Sequence, residues 1–195
     1  MNYIVIQNED LKDYREVENL VREAFWNVYK PGCSKHYVLH TLRNHPDFIK
    51  ELDFVIKHND KIIGQIVFVK NHVNDTMGPL CIHPDYQGKD YGRQLLEHGL
   101  NKAKEKGYCA ILIEGDYNFY NKSGFDYASK FNIKYAGLPE NADDSFFLCN
   151  ELKPGSLKPG IYSTHPAYLV YDKDAEEFDK NFSKKEKLKL PSQIF

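Results

Sequence analysis

Apolar residues recur along the chain with two different periods, and the changes of period divide it into elements. "YIVIQNE", from Tyr3, reads as a first strand, after which Asp10 offers its carboxylate as an N-cap. Tyr14, Val17, Leu20, Val21, Ala24, Phe25 and Val28 then repeat at helical spacing until Pro31-Gly32 stops the pattern. "SKHYVLHTLRNHPDF", from Ser34, predicts a shorter helix broken at Pro46. In "LDFVIKHNDKIIGQIVFVK" two runs rich in Val, Ile and Phe flank Asn59-Asp60, which predicts a β-hairpin. "TMGPLCI" supplies another strand, in which Pro79 has no N–H for a ladder and so implies a bulge or an unpaired edge.

Farther on, Leu95, Leu96, Gly99, Leu100 and Ala103 share one helical face, and "KEKG" ends that helix with cations and a glycine. "YCAILIEGD" is a short continuous apolar run, consistent with a strand buried on both faces. "YNFYNKSGF" fits one short helix closed by Gly124, and "SFFLCNEL" a late strand. Strands alternating with helices in this way predict an α/β (α+β) fold with a mixed sheet. From Leu152 the texture changes: "KPGSLKPG" precedes "IYSTHPAYLVY", a helix "DAEEFDKNF" and a charged tail. The expected organisation is a domain over residues 1–152 and a C-terminal extension, 153–195, packed on it. Tyr162, Tyr168, Tyr171 and Phe178 are too many aromatics for a free tail.

Composition narrows the functional classes. The 195 residues are 42% hydrophobic and 14% aromatic, enough for one packed core. A formal charge of -2 gives no global electrostatic case for nucleic acid or an anionic membrane. The basic run Lys184 to Lys189 reads as a solvated surface. Cys33, Cys81, Cys109 and Cys149 lie far apart without zinc spacing, so they read as buried reduced thiols and no metal is expected. No basic leader and no run approaching ~20 apolar residues is present, so a soluble, cytoplasmic protein is expected.

The stretch "CIHPDYQGKDYGRQLLEHGL" carries the chemistry. A strand, a glycine-bearing loop and a helix N-terminus in succession make an anion site, because the loop amides and the unpaired N–H groups of the first helical turn converge. The loop Gly88-Lys89-Asp90-Tyr91-Gly92 satisfies neither the dinucleotide fingerprint nor the P-loop pattern.

These residues resemble the GNAT superfamily of acyl-CoA N-acyltransferases, whose pyrophosphate loop reads Q/R-x-x-G-x-G/A after a strand. Here Gln87 is first and Gly92 last, and "FYNKSGF" follows about thirty residues on, as in that family. The match of element order runs from about Tyr3 to Leu152. One position departs: the middle glycine of the family loop is Asp90, a residue that tolerates left-handed backbone and caps helices.

The resemblance implies a mainly antiparallel central sheet flanked by helices, and acetyl transfer from acetyl-CoA to a primary amine of a small molecule. The transfer would be direct, through a tetrahedral intermediate. It further implies that Gln87, Gly88, Lys89, Asp90, Gly92 and Arg93 cradle the pyrophosphate. Leu80, Cys81 and Ile82 would pair with the pantetheine as an added strand, and a backbone N–H near Ile82 would face the oxyanion. Tyr120 is the candidate acid for the departing thiolate, because a phenol of ordinary pKa ~10 is close to an alkyl thiol. Asn118 either reaches the cofactor or caps a helix. The base that frees the amine is, in order of preference, Glu114 at a strand end where partial burial would raise its pKa, Asp116, or His36. A homodimer is left open. The rival reading keeps the scaffold as a non-catalytic acyl-CoA sensor or protein-interaction module, and Asp90 is the residue that speaks for it.

Overall fold

The computed structural model describes residues 3–71 and 75–193. Strand β1 (Ile4–Asn8) leads through a 3-10 turn to α1 (Tyr14–Phe25) and α2 (Lys35–Leu42). Then come β2 (Phe54–His58), β3 (Lys61–Val69), β4 (Asp75–Ile82), α3 (Tyr91–Glu105), β5 (Ala110–Glu114) and α4 (Tyr117–Tyr120). The remainder holds β6 (Asp126–Tyr127), β7 (Ile133–Tyr135), β8 (Phe147–Glu151), β9 (Gly160–Tyr162) and α5 (Asp172–Asp179).

The main sheet runs β1-β2-β3-β4-β5-β8-β6. Every neighbouring pair is antiparallel except β4 and β5. The hairpin falls where the turn residues place it: His58 opposes Lys61, and Asn59 and Asp60 both have positive φ (48° and 66°), the geometry whose twist matches the flanking strands. Alternation along β3 sends Ile66 and Phe68 to one face, where α3 lays down Leu95, Leu96 and Leu100. Val67 and Val69 go to the other face, against Val17, Leu20 and Val21 of α1 and Leu39 and Leu42 of α2. Strand β5 divides its side chains in the same way: Ile111 and Ile113 join the α3 face, while Leu112 joins a third cluster with Ile133, Phe147 and Tyr162.

Several local expectations change. The first helix ends at Phe25, because Trp26 is extended and Asn27 has φ 59°, so Val28 lies outside it and is 42% exposed. Asp10 makes no side-chain cap bond. Of the cysteines only Cys81 and Cys149 are buried; Cys109 is exposed, and all four are free thiols. Burial pushes the Cys81 thiol up to about 12, far from a reactive thiolate. Finally, the chain after residue 152 contributes a strand: β9 pairs in parallel with β7 as a second, two-stranded sheet.

The later segments return to the first helices. Arg22, 1% exposed, holds Asp179 of α5 through Nε at 2.5 Å and donates to the Ser183 carbonyl at 2.9 Å. Phe178 and Phe182 pack on the ring of His36, and Gln193 Nε2 donates to the Asn27 carbonyl at 2.9 Å. In the run expected to be solvated, Lys185 pairs with Glu23 and Lys187 with Glu176. Tyr171, expected to pack, is 74% exposed. No helix among the described residues is long and apolar enough to cross a membrane.

Candidate active site

The site begins as a fork in the sheet. Among the described residues β4 and β5 pair at Asp75 with Ile111 and Thr76 with Leu112, and the Thr76 hydroxyl donates to the Leu112 carbonyl at 3.0 Å just where they part. On its other side β4 keeps its partner, but with a bulge: Met77 opposes Phe68 and Leu80 opposes Ile66, so Gly78 and Pro79 together face one residue of β3. The irregularity that Pro79 implied is therefore present, at the point where the strands separate. The opened space is a cleft of about 1180 Å³.

Which backbone groups face the cleft follows from the ladder. The N–H of His83 donates to the Ile63 carbonyl at 2.8 Å, and Ile82 and Leu80 oppose Gly64 and Ile66. Polar groups alternate along a strand, so the N–H groups of Ile82 and Leu80 point away from β3 into the fork. They form an unpaired strand edge that an extended amide chain can complete.

At one end the cleft reaches the loop from Gln87 to Gly92 and the first turn of α3. Gly88 (φ 72°) and Asp90 (φ 66°) are both left-handed, which curls the loop over the helix N-terminus. Gln87 anchors it by donating through Nε2 to the Ile82 carbonyl at 3.0 Å. Lys89 folds back on the Asp85 carbonyl at 3.0 Å. Asp90 has the expected backbone but not the expected cap: its carboxylate accepts from Nε and Nη2 of Arg93, both at 2.8 Å. The Arg93 hydrogen bond holds the Asp90 carboxyl below the usual carboxylate range. Arg93 also has Glu97 at 3.8 Å, so in this structure its charge is already answered and the loop offers mainly backbone N–H groups.

At the other end stand the candidate proton-transfer groups. A Cβ on Gly115 would lie 2.4 Å from Cε2 of Tyr120, so glycine there lets the Tyr120 ring lie over the end of β5. Burial raises the Tyr120 phenol well above its ordinary value, with Tyr29 adding to the shift. Tyr120 is thus not matched to an alkyl thiol, as its unperturbed value suggested, and it stays protonated at every working pH. Glu114 is exposed rather than partly buried, and its Oε1 accepts from the Tyr135 hydroxyl at 2.8 Å and from Thr164 at 3.5 Å. Asp116 caps α4 by accepting from the Asn118 N–H at 2.9 Å, and the Asn118 side chain donates to the same oxygen at 3.1 Å. Both halves of that pair are committed to holding the helix.

His36 does not line the cleft. It is 0% exposed, its Nε2 is 3.2 Å from Asp179, and burial pushes its pKa down to about 4 against the pull of that carboxylate. It belongs to the contact between α2 and α5. Sequence reasoning missed Tyr29, Phe146, Tyr162, Thr164 and Tyr168, which complete the cleft wall. The aromatic density of "IYSTHPAYLVY" was the available signal, but only the β7–β9 pairing brings those residues to this end.

Residues 51–127 match the family model of the acetyltransferase (GNAT) domain. Over 80 residues the chain is 34% identical to YhbS of Escherichia coli K12, a protein described as an uncharacterized N-acetyltransferase. That match covers 38% of this chain and 48% of YhbS, so the chain spans about half the length of this curated relative. The crystal structure of Escherichia coli YhbS in complex with CoA superposes with a TM-score of 0.74 at 22% identity, over 86% of this chain and 93% of that one. A GNAT family acetyltransferase of Brucella melitensis in complex with acetyl-CoA gives 0.69 at 20% identity, over 85% and 98%. Residues 51–127 thus match a GNAT acetyltransferase domain, and the chain has the fold of these solved structures.

Proposed function

We propose that the protein is an N-acetyltransferase that moves an acetyl group from acetyl-CoA to a primary amine of a small molecule. The observation that carries this reading is the fork: an unpaired β4 edge connects an anion-binding loop at one end to a carboxylate and a half-buried phenol at the other. The donor set fits CoA in kind, because left-handed loop amides and the first turn of α3 suit a pyrophosphate. The N–H groups of Leu80 and Ile82, on either side of Cys81, suit the pantetheine amides.

When bound, acetyl-CoA supplies an activated thioester; the protein's residues position it and handle protons. A backbone N–H of the β4 edge near Ile82 stabilises negative charge on the thioester oxygen. An alkyl ammonium has no lone pair for attack, so Glu114, open to the cleft, takes a proton from the incoming amine directly or through water. Tyr120, kept neutral by its burial, donates a hydrogen bond to the departing sulfur and gives up its proton only as charge builds there. Asp116 and Asn118 act indirectly by fixing α4 and hence Tyr120.

The test is thiol release from acetyl-CoA, followed with a thiol reagent, across a panel of primary amines. Amine-dependent release supports the reading. CoA binding with no release from any amine would instead favour the acyl-CoA sensor, for which the Asp90–Arg93 pair in the loop is the supporting observation.

A further inference from the structure

The segment from β9 to the turn that ends at Tyr168 is tied down at several points and carries one polar atom with nothing to do. β9 pairs with β7, and Asn71 donates to the Ser163 carbonyl at 3.4 Å. His165, 4% exposed, accepts the Ala167 N–H on Nδ1 at 3.2 Å, which leaves the proton on Nε2 to face Asp47 at 3.2 Å. Together with His45 these residues have the spacing of a metal cluster. The Nδ1 atoms of both histidines, however, already accept backbone N–H groups, so the trio reads as an anchor.

This anchor sets the Tyr168 ring among Val17, Leu20 and their neighbours and aims its hydroxyl at the β4 bulge. A Cβ on Gly78 would stand 2.9 Å from that oxygen, so a glycine at the bulge makes room for the hydroxyl. The oxygen is shielded from solvent and has no hydrogen-bond partner among the described residues. The neighbouring Tyr162 shows the contrast, since its hydroxyl pairs with Thr76 at 3.3 Å. For packing alone phenylalanine would serve at position 168, because a buried hydroxyl left unpaired destabilises the fold.

Tyr168 lines the same cleft as Glu114 and Thr164, and the Glu114 charge is felt at its phenol. Gly78, within the bulge, also lies farther along β4 from the α3 N-terminus, past the stretch of β4 edge that suits pantetheine. We infer that Tyr168 is a substrate-binding residue whose hydroxyl oxygen accepts a hydrogen bond from the nitrogen of the acceptor amine, with Thr164 and Glu114 forming the rest of that subsite. The C-terminal segment would then select the acceptor while the GNAT core binds the donor. This rests on the acetyltransferase reading above and adds to it the place of the amine.

Isothermal titration with CoA and with a two-substrate probe, CoA carrying CH2–CO–NH–butyl on its sulfur, tests the inference in parent and Tyr168→Phe. The parent should bind the probe at least tenfold more tightly than CoA, through the amide N–H placed at the acceptor position. In Tyr168→Phe that advantage should fall below threefold while CoA affinity stays within twofold and the melting temperature does not drop. A variant that keeps the parent's advantage overturns the inference, as does a parent that shows none. A variant that loses CoA affinity and melts lower would make Tyr168 structural and overturn it equally. Failure of the parent to bind CoA at all would remove the acetyltransferase reading as well, and is distinguished by the CoA titration alone.

Discussion

Acidification offers a measurable consequence of the way α5 covers α2. His36 is fully buried among Phe178 and Phe182, and burial holds its pKa at about 4 against 6.5 when exposed. Below pH 6.5 the unfolded chain takes up a proton that the folded one refuses, so this contribution to stability is lost as pH falls from 6.5 toward 4. The gap between 6.5 and about 4 corresponds to about 3 kcal/mol in full, and the linkage relation places about 2 kcal/mol of it between pH 7.5 and pH 5. Glu9 runs the other way. Burial and the nearby Asp53 raise its pKa against the pull of the paired Arg43, so its contribution is present in acid and lost as pH rises above the ordinary carboxylate range. The parent's own pH curve therefore mixes opposite slopes, and the informative quantity is the difference between parent and His36→Leu. Urea unfolding at pH 7.5 and pH 5 measures it. The gap between the two proteins should shift by about 2 kcal/mol in favour of the variant at the lower pH, near 1 M in midpoint for an ordinary urea slope. A gap that does not change with pH would refute the claim that His36 is held neutral by burial.

Other perturbations probe the site and the extension. Tyr120→Phe should reduce the chemical rate by ~10²-fold and leave acetyl-CoA affinity within threefold, because the ring that fills the space over Gly115 is kept; an unchanged rate in a chemistry-limited assay would remove Tyr120 from the reaction. Asp90→Gly frees Arg93 and suits the left-handed backbone, so acetyl-CoA should bind more tightly, by less than tenfold; a larger gain would show the carboxylate opposing the cofactor, and weaker binding would show that the Asp90–Arg93 pair organises the loop. Truncation after Leu152 leaves buried Arg22 without Asp179 and Ile133 without β9, and should give an aggregating or far less stable chain; a fragment as soluble and heat-resistant as the parent would show the segment to be dispensable.

What the sequence revealed depended on how local the cause was. The α3 face of Leu95, Leu96, Leu100 and Ala103 is buried as its spacing requires, and the hairpin turns at Asn59-Asp60, because helical period and turn chemistry act over a few residues. The bulge was legible in Pro79 for the same reason. The overrun of α1 to Val28 came from apolar spacing that continued after the backbone had turned at Trp26 and Asn27. The contact between Asp90 and Arg93 spans three residues on a helix and was available from spacing alone, though a cap seemed the stronger claim on that carboxylate. The β7–β9 pair joins segments separated by a whole strand and two loops, and no local pattern specifies its register. For that reason the sequence points to Glu114 but not to Tyr135 and Thr164, and offers His36 as a site residue although aromatics from the far end of the chain bury it.

The central claim is that the fork between β4 and β5, with the loop over α3, is a CoA site. Isothermal titration of the full chain with CoA and with acetyl-CoA tests it most directly. The account predicts one molar equivalent of each bound, with Kd in the micromolar range, a ΔG near -8 kcal/mol. Absence of binding by both would contradict it.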